Sequence, residues 1–280
     1  MNEQSDWQTL VSISEKYIQM VRKELVDRWD KWALDLVERE MYEVIGGLLA
    51  RQVTLATQLA YAPSIWNGHV APIILRTMID TYISLAWIFD DPLDRTQKYI
   101  LYGLGQEKLN IEHRKAALAA DGHDPEEDPL VKATEEWINS QRYTFLTEVN
   151  IVSWSGKSTR EMADEAGCLD LYRYAYTPFS AATHSMWAQV SKFNLVTCPN
   201  PLHGYHKIPI DPPTNYIDPD YMYRAAKYVD KSFQLFDRKT GINVNTLSAR
   251  ESLEKSLVEF NNNDTQNSTA DLEENKKDNV

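Results

Sequence analysis

A chain of 280 residues is longer than a typical single domain and short of two comfortable ones, and its 8 Trp and 15 Tyr within an ordinary apolar content can build a core without staples. The formal charge is −12, and residues 261–280 hold five acids and two lysines, a net of −3, which leaves −9 for the rest. Basic residues occur singly or in short pairs such as Arg22-Lys23, Arg114-Lys115 and Arg238-Lys239 and never as a dense stripe, so an extended nucleic-acid surface, which needs clustered Lys and Arg, is not expected.

In chain order the pattern is helix after helix. Met1 to Asp6 carries acids and no Lys or Arg, which is the wrong opening for a secretory signal. Ser5 to Gln8 has capping-box form, and Leu10, Ile13, Tyr17, Met20 and Val21 then recur at three and four. The helical pattern continues to Ala62-Pro63, with a break expected at Gly46-Gly47. Val70 to Phe89 is apolar enough for a membrane span, but Arg76 and Asp80 near its middle would be costly in lipid, so a buried core helix is expected and no membrane partner.

Asp91-Pro92 pairs an N-cap with proline at the first helical position and opens a helix to about Ala120, closed by Gly122. Asp128-Pro129 repeats the device for a helix through about Val149. Trp154 to Lys157 reads as a loop, and Ser158-Thr159-Arg160-Glu161 is a capping box for a short helix ending at Gly167. A longer helix over about Leu169 to Val196 should be kinked by Pro178.

Six of the twelve prolines fall between Pro199 and Pro219, so about residues 197–218 form an irregular loop, with a short strand pair expected around Tyr205 to Ile210. Asp218-Pro219 starts a helix stopped at Gly241, and a last helix covers about Leu247 to Phe260. Residues 261–280 are polar and acidic and should be disordered. The expected fold is therefore a single all-α, multi-helix domain over residues 1–260 with a disordered tail.

The standard signatures of chemistry are absent. There is no P-loop and no GxGxxG, no Glu-x-x-His pair, no HExxH and no Gly-x-Ser-x-Gly. No cofactor is implied. Arg76 and Asp80, four apart in an apolar helix, share one face, and a buried guanidinium and carboxylate there would either frame a polar pocket or fix helix register. His184 lies in a run of small residues, Ser180 to Ser185, that lets another helix pack closely, and it can serve as acid or base near neutral pH or as a bonded core histidine. Arg173 and Tyr176, eleven and eight residues earlier, are its nearest helpers.

Cys198, His203 and His206 form a Cys-x4-His-x2-His group that is a weak metal candidate, since no fourth ligand is evident. Asp94, Arg95 and Tyr99 read as a solvated or register-setting face. Two cysteines without a CxxC pair, Cys168 and Cys198, suit a reducing compartment, and the expected location is the cytoplasm.

Several of these residues together resemble a known family. They are Leu75-Arg76 with Asp80, then Asp94-Arg95 with Tyr99, Trp154-Ser155-Gly156, Ser158 to Ala163, and Tyr172, Tyr176, Ser180 and His184. Over about residues 45–200 the combination resembles the bacterial family of unknown function DUF5677. The resemblance implies an all-helical fold and a mainly bacterial origin. At the level of fold class its members are similar to the helical HEPN RNases, many of them toxins or phage-defence effectors. Those enzymes use an Arg and a His four to six residues apart on one helix, and no His here has an Arg at that spacing before it.

Two functions follow as expectations. One is a defence or stress effector with RNase-like hydrolysis, using His184 with Arg76, Asp80 or Arg173. The other is a non-catalytic helical module that binds a protein, a second copy of the chain or a small ligand, with the Pro/Tyr/His loop and the acidic tail as contact elements.

Overall fold

The computed structural model describes residues 3–140, 153–204, 206–211 and 216–260. The helices are α1 (Glu3–Trp29), α2 (Arg39–Tyr61), α3 (Ala71–Ile88), α4 (Pro92–Ala120), α5 (Pro129–Ser140), α6 (Thr159–Glu165), α7 (Leu169–Leu171), α8 (Thr177–Thr183), α9 (Trp187–Phe193), α10 (Asp220–Thr240) and α11 over residues 249–260. A π turn at Tyr172–Tyr176 joins α7 to α8. Strands β1 (Leu195–Thr197) and β2 (Lys207–Pro209) pair antiparallel. The all-α expectation holds for the described residues; the expected tail disorder, and the expected extension of α5 to Val149, lie outside them.

The apolar α3 is the centre. Leu75, Met78, Ile79, Ile83, Leu85 and Ile88 have no solvent contact, and α2, α6, α8 and α10 pack around them. Among the described residues this is the one helix long and apolar enough to cross a membrane. Here its apolar surface is satisfied by neighbouring helices, which is where the hydrophobic gain of the fold is concentrated. One polar group pins the three innermost helices together: Gln52 of α2 donates to Met78 O of α3 at 2.8 Å and to Ser232 Oγ of α10 at 3.2 Å. Outside this centre, α1 lies on α2, and α4 with α5 forms an arm with its own small core of Ile111, Val131 and Ile138.

Local signals decide several ends as expected. Asp128 Oδ1 accepts from the amides of Leu130 and Val131, and the Arg114 guanidinium and then the Val131 amide hold its carboxyl down at about 2. Ser158 and Glu161 exchange both capping-box bonds. Gly122 and Gly241 take φ of 78° and 72° where α4 and α10 stop.

Four expectations are corrected. Helix α1 already runs from Glu3, so Ser5 lies inside it and does not mark its start. The first break falls at residues 30–38, and Gly46-Gly47 lies inside α2, because Gly46 makes room for the Trp29 ring: a Cβ there would sit 2.0 Å from Trp29 Cη2. Asp91 opens α4 without a side-chain cap. The helix expected from Leu169 to Val196 stops at Thr183, resumes as α9 and gives way to β1 at Leu195. Ser185 turns the chain there with φ of 47°. Strand pairing thus starts earlier than Tyr205, which itself lies outside the described residues.

Candidate functional site

Arg76 sits on the face of α3 that α8 covers. Its Nε donates to Ser180 Oγ at 2.9 Å, its Nη1 meets Asp80 Oδ2 at 2.5 Å, and its guanidinium carbon lies 3.1 Å from the centre of the Tyr176 ring. Only 10% of the Arg76 side chain is exposed, against 44% of Asp80. The expectation that both charges would be buried holds for the arginine alone. Asp80 neutralises it while keeping much of its own hydration, which avoids the desolvation cost of a fully buried pair.

Pro178 explains how Tyr176 comes to lie over Arg76. Proline has no N–H and its ring clashes with the carbonyl four residues back, so a regular α-turn cannot pass through it. The chain widens instead into the π turn just before, where the Thr177 amide reaches back to Tyr172 O. The kink expected at Pro178 is absorbed in this way. Tyr172 and Tyr176 then stack with ring centres 4.6 Å apart and planes at 24°. Tyr176 donates through its hydroxyl to Thr159 Oγ1 at 3.3 Å, linking the pair to α6, and burial raises its pKa above the usual tyrosine value.

Between the tyrosines and the start of α6 opens a cleft of about 580 Å³. Its other walls are Ser153, Gly156, Lys157, Ser158, Thr159 and Arg160. Lys157 Nζ lies 2.5 Å from Glu165 Oε1. Arg160 is exposed and has no ion pair among the described residues. Among the described residues, no carboxylate lines the cleft.

A second layer supports it from behind. Trp154 packs edge-on against Trp87 and Tyr99, Trp87 donates to Glu165 Oε2 at 2.7 Å, and Arg95 lies over the Trp87 ring at 3.8 Å while its guanidinium bonds Trp87 O. Lys157 and then the Trp87 indole hold the Glu165 carboxyl below its ordinary range. Of the Asp94, Arg95 and Tyr99 set, Asp94 pairs with Lys98 in solvent at 2.5 Å, whereas Arg95 and Tyr99 belong to this packing.

The remaining sequence candidates fall elsewhere. His184 is the exposed C-cap of α8, its amide bonded to Ser180 O at 3.0 Å, and among the described residues no hydrogen bond or ion pair joins its side chain to Arg76 or Asp80. Arg173 is exposed on the π turn. Cys198, His203 and His206 do converge, with their donor atoms all within 4.8 Å of one another.

Sequence reasoning missed Ser180, Thr159, Lys157 and Arg160 as members of the site. Ser180 was legible as a small residue for close packing and, like Thr159 and Arg160, as part of the family resemblance, while Lys157 was legible only as a loop residue. Their convergence depends on α6 and the π turn meeting over α3, which no local pattern states.

Fold and site together define an all-helical protein in which a buried arginine buttresses a tyrosine-walled, cation-lined cleft. Residues 42–200 match the family of unknown function DUF5677, and the chain belongs to that family. The matched span agrees with the resemblance read over about residues 45–200 and contains Arg76, the cleft and Cys198, while His203 and His206 lie beyond it. No curated protein and no solved structure matches the chain.

Proposed function

We propose that this protein is a helical binding module whose cleft takes a small phosphorylated ligand. The observation that carries the reading is the charge contrast: in a chain of formal charge −12, the cleft is lined by Lys157, Arg160, hydroxyls and tyrosines, with no acid among the described lining residues. Its volume is in the range of small-molecule sites rather than of a polymer track. The Arg160 guanidinium, with no ion pair among the described residues, supplies the planar fork that recognises phosphate oxygens, and the Thr159 hydroxyl, which accepts from Tyr176, adds a neutral donor.

Arg76 is the support of this site and not its charge. Its Nε and Nη1 bond Ser180 and Asp80 and its face meets Tyr176, so it fixes the tyrosine wall before any ligand arrives. Under this reading the protein works in a bacterial cytoplasm, and the ligand would signal or be sequestered rather than be turned over.

The second reading, an RNase-like effector in defence or stress, is favoured by one observation: His184 is exposed at the end of α8, one turn after the serine that seats Arg76. One experiment separates the two. The purified chain is titrated by calorimetry with inorganic phosphate, uridine monophosphate and adenosine monophosphate, and incubated in parallel with total RNA. The binding module predicts saturable heat with at least one probe, weakened about tenfold or more in Arg160→Ala, and intact RNA. RNA cleavage lost in His184→Ala would establish the effector instead. No heat with any probe would remove the binding reading.

A further inference from the structure

We infer that Cys198, His203 and His206 form a binding site for a zinc-class divalent cation, on the β1–β2 hairpin and apart from the cleft. The backbone explains why these three meet. Leu195 pairs with Pro209 and Thr197 with Lys207, and the ladder continues by one rung, with the Cys198 amide donating to His206 O at 2.9 Å. Cys198 and His206 therefore stand opposite each other at the mouth of the loop. His203 is brought back to them by a single 3-10 turn, Pro201–His203, which Asn200 caps by accepting from the Leu202 amide at 3.0 Å. Gly204, at φ of 50°, reverses the chain toward His206.

The side chains already stand at spacings close to those of a metal's ligands, and the thiol and the His203 ring are within hydrogen-bond reach of each other. Cys198 Sγ and His203 Nδ1 are 3.7 Å apart. Tetrahedral zinc, with Zn–S about 2.3 Å and Zn–N about 2.0 Å, has an S···N edge of about 3.5 Å, so this edge is already near ligand spacing. With all donor atoms within 4.8 Å, the other edges close by no more than about 1.5 Å of side-chain movement. The two imidazoles lie 5.2 Å apart with planes at 45°, a tilted pair with no flat stacking contact to lose.

One thiolate and two imidazoles form a donor set suited to zinc and its neighbours and unsuited to magnesium or calcium. Both histidines are exposed, so an ion reaches them from solvent. Three protein donors leave the fourth position to water or to a group from outside, the arrangement of an open zinc site. Cys198 lies within the family-matched span and His203 and His206 just beyond it.

The test uses the full chain stripped with a chelator and titrated with Co²⁺, followed by Zn²⁺. The expected result is one equivalent of cobalt with a thiolate-to-metal charge-transfer band and intense tetrahedral d–d bands, both bleached by zinc. Cys198→Ser should abolish the charge-transfer band, and His203→Ala or His206→Ala should weaken binding about tenfold or more. Cys168→Ser and His184→Ala should bind as the parent does, all variants keeping the parent's helical circular dichroism. A folded parent with no charge-transfer band, or a band that survives Cys198→Ser, overturns the inference. Either outcome leaves the cleft reading untouched, since none of the three residues lines the cleft.

Discussion

Two buried charges show how much work single residues do in this fold. Arg76 is satisfied from three directions, so Arg76→Ala removes two hydrogen bonds and the support of the Tyr176 ring at once. A loss of about 2–3 kcal/mol in urea unfolding is expected. Glu24 is the contrasting case. It is 5% exposed, accepts from the Ala249 amide at 3.2 Å, and burial pushes its pKa up to about 7 while Arg28 pulls the other way. The folded state thus binds a proton that the unfolded chain gives up near 4.5. The stability this brings is complete below about pH 4.5 and is lost as pH rises to and through about 7. Glu24→Gln keeps the acceptor for Ala249 and should flatten that decline, gaining on the order of 1–3 kcal/mol above neutrality. Urea midpoints at about pH 5 and about pH 8 check it; a variant with the parent's pH profile would show that Glu24 ionises normally.

At the scale of elements, the neighbouring glycines of α2 give a paired prediction. Gly46 faces the Trp29 ring, which is itself held by Trp32 and Tyr42 with ring centres 5.6 Å and 4.1 Å away, so the indole cannot simply step aside. Gly46→Ala should cost about 1–3 kcal/mol by overpacking. A Cβ at Gly47 meets nothing within 4 Å, so Gly47→Ala should gain about 0.4–1 kcal/mol from helix propensity and a less free unfolded chain. Opposite signs in thermal or urea unfolding bear this out, and equal effects would contradict the packing reason. The same pair shows why the sequence misled here: glycine pairs signal a break by propensity, and only the tertiary contact with Trp29 reveals a packing need. Asp128-Pro129 and the Ser158 capping box were legible because their bonds close within four residues. The π turn before Pro178 was not, since a proline signal fixes where a helix must yield but not whether it kinks or widens.

At the scale of the whole molecule, the apolar run around Arg76 and Asp80 was enough to place a buried central helix and the polar pair on it. What the sequence could not place was the partner of that pair. Ser180 and Tyr176 take the positions that the spacing of His184 invited, because the chain turns out of α8 at Ser185 and leaves His184 in solvent. The cleft is likewise a product of assembly, its cations coming from a loop and a short helix and its rings from the π turn. Against a strongly acidic chain, this makes its charge the property most worth changing. The most direct measurement compares uridine monophosphate affinity in the parent, Arg160→Glu and Lys16→Glu, the last an equal charge reversal at an exposed site on α1. The cleft account predicts that binding is lost in Arg160→Glu and stays within about twofold in Lys16→Glu. Equal weakening by both variants would mean that the probe senses only net charge, and would contradict a built site.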